Sequence, residues 1–148
     1  MIRRFNLDDV SKIVKLENEL LGTTLGESYL NDAYTNPFNY IYVYELDNEI
    51  IGYISYSFDG DIAEMLNFCV DKTKQNKGIG TELLTYTIDE FERLNGSSII
   101  LEVNSQNINA IKLYEKMGFK QISVRKAYYS DGNDAKVLQR LLKGVIGC

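Results

Sequence analysis

The stretch from residue 62 to residue 103 constrains the fold of this chain more than any other part of the sequence. Ile62 to Val70 is a largely apolar run that leads into a polar loop containing Gly78 and Gly80. A long helix is predicted after the loop, because core-compatible residues recur at helical spacing at Ile79, Leu83, Leu84, Thr87, Ile88, Phe91 and Leu94. Asn95-Gly96 then supplies a stop signal, and Ser98 to Val103 has the continuous apolar composition of a buried strand. Strand, loop, helix and strand in this order predict a parallel crossover unit.

The flanking segments predict the rest of a mixed α/β sheet. We expect further strands at Ile2 to Phe5, Tyr40 to Leu46, Glu49 to Phe58, Phe119 to Tyr128 and Ala135 to Leu142. Asp47-Asn48 fits the tight turn of a hairpin. Further helices are expected over Val10 to Leu20 with Asp8 as its cap, over Glu27 to Asn36, and over Ala110 to Met117 with Gly118 as its stop. No linker or repeat interrupts the pattern, so we expect a single domain over residues 1–148.

Composition excludes several classes of protein. The length of 148 residues and the hydrophobic content of 45% fit one core. No stretch approaches the roughly 20 apolar residues of a membrane span, and the N-terminus lacks the apolar run of a signal peptide, so we expect a soluble, cytoplasmic protein. The sequence contains no histidine, which excludes Ser-His and Cys-His nucleophiles. Cys69 lies in an apolar run and Cys148 is the last residue, so we expect two reduced thiols and no metal site.

The charge distribution indicates the kind of ligand. A formal net charge of -5 disfavours a general binder of nucleic acid or of anionic membranes, and a cationic partner is easier to accept. Lys72, Lys74 and Lys77 nevertheless cluster in the polar loop, which suggests an anionic group nearby. A solvated lysine-rich loop is the alternative interpretation.

The loop from Gln75 to Gly80 has the properties of a phosphate cradle. The first-turn N–H groups of the following helix lack intrahelical partners, and the helix dipole adds partial positive charge. Thr81-Glu82 after Gly80 does not fit a Walker loop, and Leu83 replaces the third glycine of a dinucleotide fingerprint. An ordinary turn at a helix start remains the alternative at this point.

The wider pattern resembles a known superfamily. Gln75-x-x-Gly78-x-Gly80 after Asn67-Phe68-Cys69-Val70-Asp71 is similar to the acyl-CoA signature of the GCN5-related N-acetyltransferase (GNAT) superfamily. Leu101-Glu102-Val103, Asn107 and Ala110-Ile111-x-Leu113-Tyr114-x-x-x-Gly118-Phe119 resemble its second motif. Arg125-x-x-Tyr128-Tyr129 with Asp131-Gly132-x-Asp134-Ala135 is closer to one branch, the RimI-type ribosomal-protein-alanine N-acetyltransferases. The resemblance covers Met1 to about Leu142 and implies a GNAT fold, with a central mixed, mostly antiparallel sheet flanked by helices.

The resemblance implies a set of acetyl-CoA contacts. The backbone of the strand end would line the cosubstrate, the loop would wrap its pyrophosphate, and the residue before the next helix would contact it. The implied residues are Phe68, Cys69, Val70, Gln75, Asn76, Lys77, Gly78, Ile79, Gly80, Thr81 and Asn107. Asn107 also fits a plain helix cap, and the two roles are compatible.

Two side chains are the implied catalytic groups. Glu102 matches the glutamate that RimI-type enzymes use as the base, and it would take a proton from the acceptor amine directly or through one water. Tyr114 matches the tyrosine that protonates the departing thiolate of coenzyme A. The structural alternatives are a strand glutamate paired with a lysine and a core tyrosine on an amphipathic helix.

The acceptor is less well defined by the sequence than the donor. The resemblance implies the N-terminal α-amine of a protein, with ribosomal proteins among the candidates. Tyr128 and Tyr129 would shape its pocket unless they serve cross-strand packing. Many RimI-type enzymes have a Pro-Trp-Ser run in the segment that corresponds to Glu19 to Tyr29, one wall of the acceptor cleft, and this chain has none. A GNAT that acetylates a small amine or a lysine side chain is one alternative. A non-catalytic acyl-CoA-binding module is another.

Overall fold

A computed structural model describes residues 1–20 and 24–142 of the chain. Within these residues the strands are β1 (Ile2–Arg4), β2 (Asn39–Leu46), β3 (Glu49–Phe58), β4 (Ile62–Val70), β5 (Ser98–Asn104), β6 (Lys120–Arg125) and β7 (Ala135–Leu141). The helices are α1 (Val10–Leu20), α2 (Gly26–Ala33), α3 (Ile79–Arg93) and α4 (Ile108–Lys116), with short 3-10 helices at Leu7–Asp9 and Lys72–Lys74.

Hydrogen bonds join the strands in the order β1-β2-β3-β4-β5-β7-β6. The β1–β2, β2–β3, β5–β7 and β6–β7 pairs are antiparallel, and the β4–β5 pair is parallel. The predicted mixed, mostly antiparallel α/β sheet is confirmed, including the crossover from β4 through α3 to β5.

The described residues fall into two compact units. Of the described residues, 1–20, 24–58 and 66–86 belong to the first unit, and 59–65 and 87–142 belong to the second. Strand β4 and helix α3 contribute residues to both units. Two subjects of prediction lie outside the described residues: Cys148, and the part of the acceptor-wall segment at residues 21–23.

In the first unit, Asn6 caps the turn that starts α1. The Asn6 side chain accepts a hydrogen bond from the Asp8 N–H at 3.0 Å, and the buried Asp9 carboxylate accepts one from the Asn6 N–H at 2.8 Å. Asp9 also binds Arg3 through two hydrogen bonds of 2.8 and 3.0 Å. The prediction of Asp8 as the cap was therefore wrong, because the capping box is built from Asn6 and Asp9.

The hairpin of β2 and β3 has the turn that the sequence predicts. Asp47 and Asn48 have φ angles of 52° and 65°. Two consecutive residues with positive φ match the type I′ turn, whose twist fits that of the flanking strands. The core of the first unit packs on this hairpin and consists of Phe5, Val10, Ile13, Leu16, Leu30, Ala33, Ile41, Val43, Ile50, Tyr53 and Cys69.

A buried carboxylate connects four segments of the first unit. Glu17 of α1 has no solvent exposure and accepts hydrogen bonds from the N–H groups of Leu25 and Gly26 at 2.9 and 3.3 Å. It also accepts a short hydrogen bond from the Tyr53 hydroxyl and one of 3.1 Å from Asn67 Nδ2. Because Leu25 supplies no side-chain cap to α2, the Glu17 carboxylate takes over that role from another helix.

In the second unit, β7 lies between β5 and β6. Glu102 of β5 is opposite Val137 of β7, and Arg125 of β6 is opposite Ala135. The parallel ladder of β4 with β5 runs from Ile62 opposite Ser98 to Glu64 opposite Ile100. The buried apolar side chains of this unit include Phe91, Ile99, Leu101, Val103, Ile111, Phe119 and Leu138.

Several predicted boundaries need correction. Helix α2 ends at Ala33 rather than Asn36, and β6 begins at Lys120 and ends at Arg125 instead of spanning Phe119 to Tyr128. Strand β6 cannot continue because Ala127 has a φ of 47°, in the left-handed region. None of the helices in the described part of the chain is long and apolar enough to cross a membrane.

Candidate active site

The glycine loop of the first unit forms a tight entry into α3. Asn76 and Gly78 have φ angles of 63° and 82°, so the chain turns twice through the left-handed region. A Cβ on Gly78 would meet no atom within 4 Å, which shows that the backbone angle, and not a lack of space, requires glycine here. The Gly78 carbonyl accepts the Glu82 N–H at 2.9 Å and begins the helix. The first N–H groups of a helix have no partner within the helix itself, and a helix start is for this reason a common site for an anion.

The strand that precedes the loop is held in place by its neighbour. Phe68 and Val70 are half-buried, and Cys69 is buried. A Cβ on Gly52 of β3 would lie 3.2 Å from the Cys69 carbonyl oxygen, so glycine permits this close approach. Burial, with a smaller contribution from Glu17, raises the pKa of the Cys69 thiol to about 12. The thiol is therefore protonated at neutral pH, and because the side chain is buried, the backbone is the part of Cys69 that can contact a ligand.

The three loop lysines differ in their surroundings. Lys72 and Lys77 are exposed, and Lys74 is half-buried. The Asp71 carboxylate accepts hydrogen bonds from the Thr73 N–H and hydroxyl at 2.8 and 2.7 Å, and these bonds, aided by the charge of Lys74, lower the pKa of Asp71. Gln75 donates through Nε2 to the Val70 carbonyl at 2.9 Å and closes the loop. The lysines thus extend from an internally bonded loop.

The remaining predicted side chains belong to the second unit. Glu102 is on β5, its side chain is 25% exposed, and its Oε1 lies 3.1 Å from Arg125 Nε. The partner in this ion pair is an arginine and not the lysine of the structural alternative. The Tyr128 hydroxyl is hydrogen-bonded to Glu102 as well, and this bond is the main cause that raises the pKa of Tyr128. Glu102, Arg125 and Tyr128 therefore form one cluster.

Tyr128 and Tyr129 lie on the loop between β6 and β7, so the suggestion that they pack across strands is wrong. Their rings meet edge to face with centroids 5.2 Å apart. Tyr128 is 52% exposed and Tyr129 is half-buried. Burial and the nearby Glu102 charge raise the pKa of Tyr129. The structure brings both tyrosines to the predicted base.

Tyr114 is a buried residue of α4. Its hydroxyl lies 3.8 Å from Met65 Sδ, and its ring packs edge to face on Phe119 at 5.8 Å. Burial, with a smaller effect of Tyr129, raises the pKa of Tyr114 well above its ordinary value. The phenol is thus protonated at neutral pH, the form that a general acid needs. The side chain is a core residue by its packing, and that environment is compatible with the catalytic role.

Asn107 is the N-cap of α4. Its side-chain oxygen accepts the Ala110 N–H at 3.3 Å, and its own N–H donates to the Asn104 carbonyl at 2.9 Å. The cap interpretation is confirmed, while Asn107 stays exposed. Contact with a cosubstrate remains a prediction.

The sequence predicted no role for Asp134 or Arg125, although both belong to the motif that resembles the RimI-type enzymes. Asp134 accepts the Ala127 N–H at 2.9 Å and pairs with Lys126 at 3.3 Å, which fixes the turn before Tyr128. The Asp134 carbonyl also accepts the Ser105 N–H at 2.9 Å. Arg125 is the other residue, and its position in the Arg125-x-x-Tyr128 motif was the available signal.

Two further features of the described residues bear on ligands. A cavity of about 270 Å³ in the first unit is lined by residues that include Lys12, Lys15, Glu49 and Asp71. None of the residues predicted to contact acetyl-CoA lines this cavity. Within residues 1–20 and 24–142, no group of three or more His, Cys, Asp and Glu side chains could hold a metal ion.

Comparison with known proteins gives a consistent result. Residues 7–119 match the model of the acetyltransferase (GNAT) family. The chain is 32% identical to an uncharacterized N-acetyltransferase of Methanocaldococcus jannaschii, over 91% of this chain and 87% of that protein. It is 30% identical to an N-alpha-acetyltransferase of Saccharolobus solfataricus, over 95% of this chain and 92% of that protein. The crystal structure of the ribosomal-protein-S18-alanine N-acetyltransferase from Escherichia coli matches with a TM-score of 0.89 and 25% identity, over 96% of this chain and 93% of that one.

Proposed function

The chain belongs to the acetyltransferase (GNAT) family, and we propose that it transfers the acetyl group of acetyl-CoA to the N-terminal α-amine of a protein. The observation that carries the proposal of a cationic amine as the acceptor is the Glu102 carboxylate beside the Tyr128 ring, a pair that holds the Arg125 guanidinium in this structure. The names of the relatives from Saccharolobus solfataricus and Escherichia coli support the same class of acceptor.

The first unit would hold the donor. The N–H groups at the start of α3 and the lysines Lys72, Lys74 and Lys77 offer positive charge to the phosphates of acetyl-CoA. Asn76 and Gly78 fit such a role because their left-handed backbone turns the loop toward the helix start. A backbone N–H of Phe68 to Val70 would stabilise the oxyanion that forms at the thioester carbonyl. Acetyl-CoA, when bound, supplies the activated acetyl group.

The second unit would carry the proton transfers. An α-amine has a pKa near ~8 and is mostly protonated at neutral pH, so it must lose a proton before it can attack. Glu102 accepts that proton, directly or through one water. Tyr114 donates a proton to the departing thiolate, and its raised pKa keeps the phenol protonated before the reaction. The nitrogen releases its second proton to water as the amide forms and the C–S bond breaks, and Tyr114 recovers a proton from water before the next turnover.

An acetylation assay tests this proposal. We expect peptides with a free α-amine, including peptides that begin with alanine, to be acetylated faster than N-blocked peptides that contain lysine and faster than small polyamines. Mass spectrometry locates the acetyl group, and release of the coenzyme A thiol gives the rate. Preferential modification of the lysine or of the small amines would replace the proposed acceptor with the corresponding alternative, and no product from any amine would favour a non-catalytic module.

Matched variants test the catalytic roles. Glu102→Gln should lower kcat/KM by roughly 100-fold or more, since a positioned base contributes about 10²- to 10⁴-fold. Glu115→Gln, an exposed change on α4 with the same loss of charge, is its control. Tyr114→Phe should lower kcat by at least tenfold, with the exposed Tyr34→Phe as its control. Variants that keep full activity would remove these roles while leaving the acetyltransferase family intact.

A further inference from the structure

The positively charged Arg125 guanidinium contacts the carboxylate of Glu102, the proposed base. Its Nε is 3.1 Å from Glu102 Oε1, and its guanidinium carbon lies 5.7 Å from the centroid of the Tyr128 ring. Tyr128 is hydrogen-bonded to the same Glu102 carboxylate. The carboxylate and the ring therefore hold one cation in common.

The strand register explains how the arginine reaches the glutamate. Arg125 on β6 is opposite Ala135 on β7, and Ala135 is opposite Asn104 on β5, two residues beyond Glu102. Alternate residues of a strand point to the same face, and strands two apart are separated by about 10 Å. The side chains of Arg125 and Glu102, which meet at 3.1 Å, together span the width of the intervening strand β7.

An alkylammonium ion can bind the same two partners as the guanidinium. It is a donor with no acceptor capacity, and it is stabilised by a carboxylate and by the face of an aromatic ring. The acceptor of the proposed reaction arrives as such an ion, because α-amines are mostly protonated at neutral pH. The ammonium and Arg125 cannot occupy the same oxygen and the same ring face together.

We propose that Arg125 is an internal competitor that occupies the acceptor's ammonium position on Glu102 and Tyr128, so that every cationic acceptor must displace it. This inference rests on the proposed function. The Arg125 side chain is 57% exposed and the Glu102 side chain is 25% exposed, so the guanidinium can move into water when an acceptor replaces it. Exposed ion pairs are weak, and the competition is therefore modest.

The first test is steady-state kinetics with a free α-amine peptide. In Arg125→Gln we expect kcat/KM to rise roughly fivefold through a lower KM, which corresponds to about 1 kcal/mol. Arg125→Lys should keep the high KM, because it retains a competing cation. Lys120→Gln, on the same strand and with an exposed side chain, removes the same charge and should leave KM unchanged. A KM that rises or stays constant in Arg125→Gln overturns the inference.

The second test does not depend on catalysis. Propylammonium chloride is titrated into protein with labelled tyrosine, and the NMR signal of Tyr128 is assigned from Tyr128→Phe. The Tyr128 shift should reach half its change at a severalfold lower concentration in Arg125→Gln than in the wild type. Equal midpoints overturn the inference even if the enzyme is active. If no amine is acetylated but the midpoints differ, the proposed function fails and the competition for the Glu102 cluster stands.

Discussion

Replacement of Glu17 by glutamine tests the connection that fixes the start of α2. In the first unit, Glu17 Oε2 accepts hydrogen bonds from the Leu25 N–H, the Tyr53 hydroxyl and Asn67 Nδ2, and Oε1 accepts the Gly26 N–H. Glutamine has one oxygen. If that oxygen replaces Oε2, its amide group faces the Gly26 N–H, donor against donor.

The structure gives the size of the effect. One buried backbone donor without a partner costs about 1–3 kcal/mol, and the three remaining hydrogen bonds lose the reinforcement of a charged acceptor, roughly 1 kcal/mol each. Glutamine avoids the desolvation of a charge, which offsets part of this loss. We therefore expect Glu17→Gln to lower the free energy of unfolding by about 2–4 kcal/mol and Tm by roughly 5–15 °C.

Urea unfolding followed by circular dichroism measures this change. Glu19→Gln, an exposed change on the same helix, is the matched control and should alter the free energy of unfolding by less than about 0.5 kcal/mol. Tyr53→Phe removes a second member of the cluster, so the double variant should lose less than the sum of the single losses. A Glu17→Gln protein as stable as the wild type would refute the role assigned to the carboxylate.

Three further outcomes follow from the structure. Burial alone would raise the pKa of Asp9, but hydrogen bonds from Arg3 and from a backbone N–H hold that pKa below its usual value near 3.8. The ionised Asp9 carboxylate therefore stabilises the fold fully above that value, and this stabilisation is lost as pH falls through the folded pKa. In Asp9→Asn, the free energy of unfolding, measured with urea between pH 6 and 2, should fall less steeply with decreasing pH than in the wild type. An unchanged pH dependence would contradict this. Gly78→Ala forces alanine to a φ of 82° in open space and should cost about 1–2 kcal/mol, with a higher KM for acetyl-CoA; equal stability would contradict the loop geometry. Gly118→Ala combines a φ of 93° with a Cβ 3.2 Å from Arg140 Nε, so thermal unfolding should show a loss of at least about 1 kcal/mol. No loss would contradict the backbone strain, because a shift of Arg140 relieves only the contact.

The sequence predicts those elements whose determinants are local. The bounds of β3 and β4 agree with the prediction because alternating or continuous apolar runs end at polar turns. The turn at Asp47-Asn48 is also predicted from local sequence, because both residues tolerate positive φ. The cap of the first turn was missed because Asn6 and Asp8 are both good caps, and the choice depends on Asp9 bonding back to Asn6.

Long-range contacts account for the other errors. Strand β6 ends at Arg125 because Asp134, seven residues beyond Ala127, accepts the Ala127 N–H and stabilises a left-handed backbone that alanine seldom adopts. The apolar residues that precede Arg125 in the sequence do not indicate that the strand ends there. From the sequence, Glu17 is expected to be one of the exposed polar residues of an amphipathic helix. Its complete burial depends on hydrogen bonds with Tyr53 and Asn67, which are 36 and 50 residues away.

The same distinction separates the proposed base from its partner. Glu102 is recognised by a motif that is contiguous with its strand, whereas Arg125 reaches it only because β7, the last strand in sequence, lies between β5 and β6. The position of β7 is a property of the sheet order, and no local pattern encodes it. The motifs therefore contain both Glu102 and Arg125, but the contact between the two side chains becomes visible only when the strands are paired. The KM of Arg125→Gln therefore tests a contact that arises from the order of the strands, whereas the activity of Glu102→Gln tests a role that the motif alone assigns.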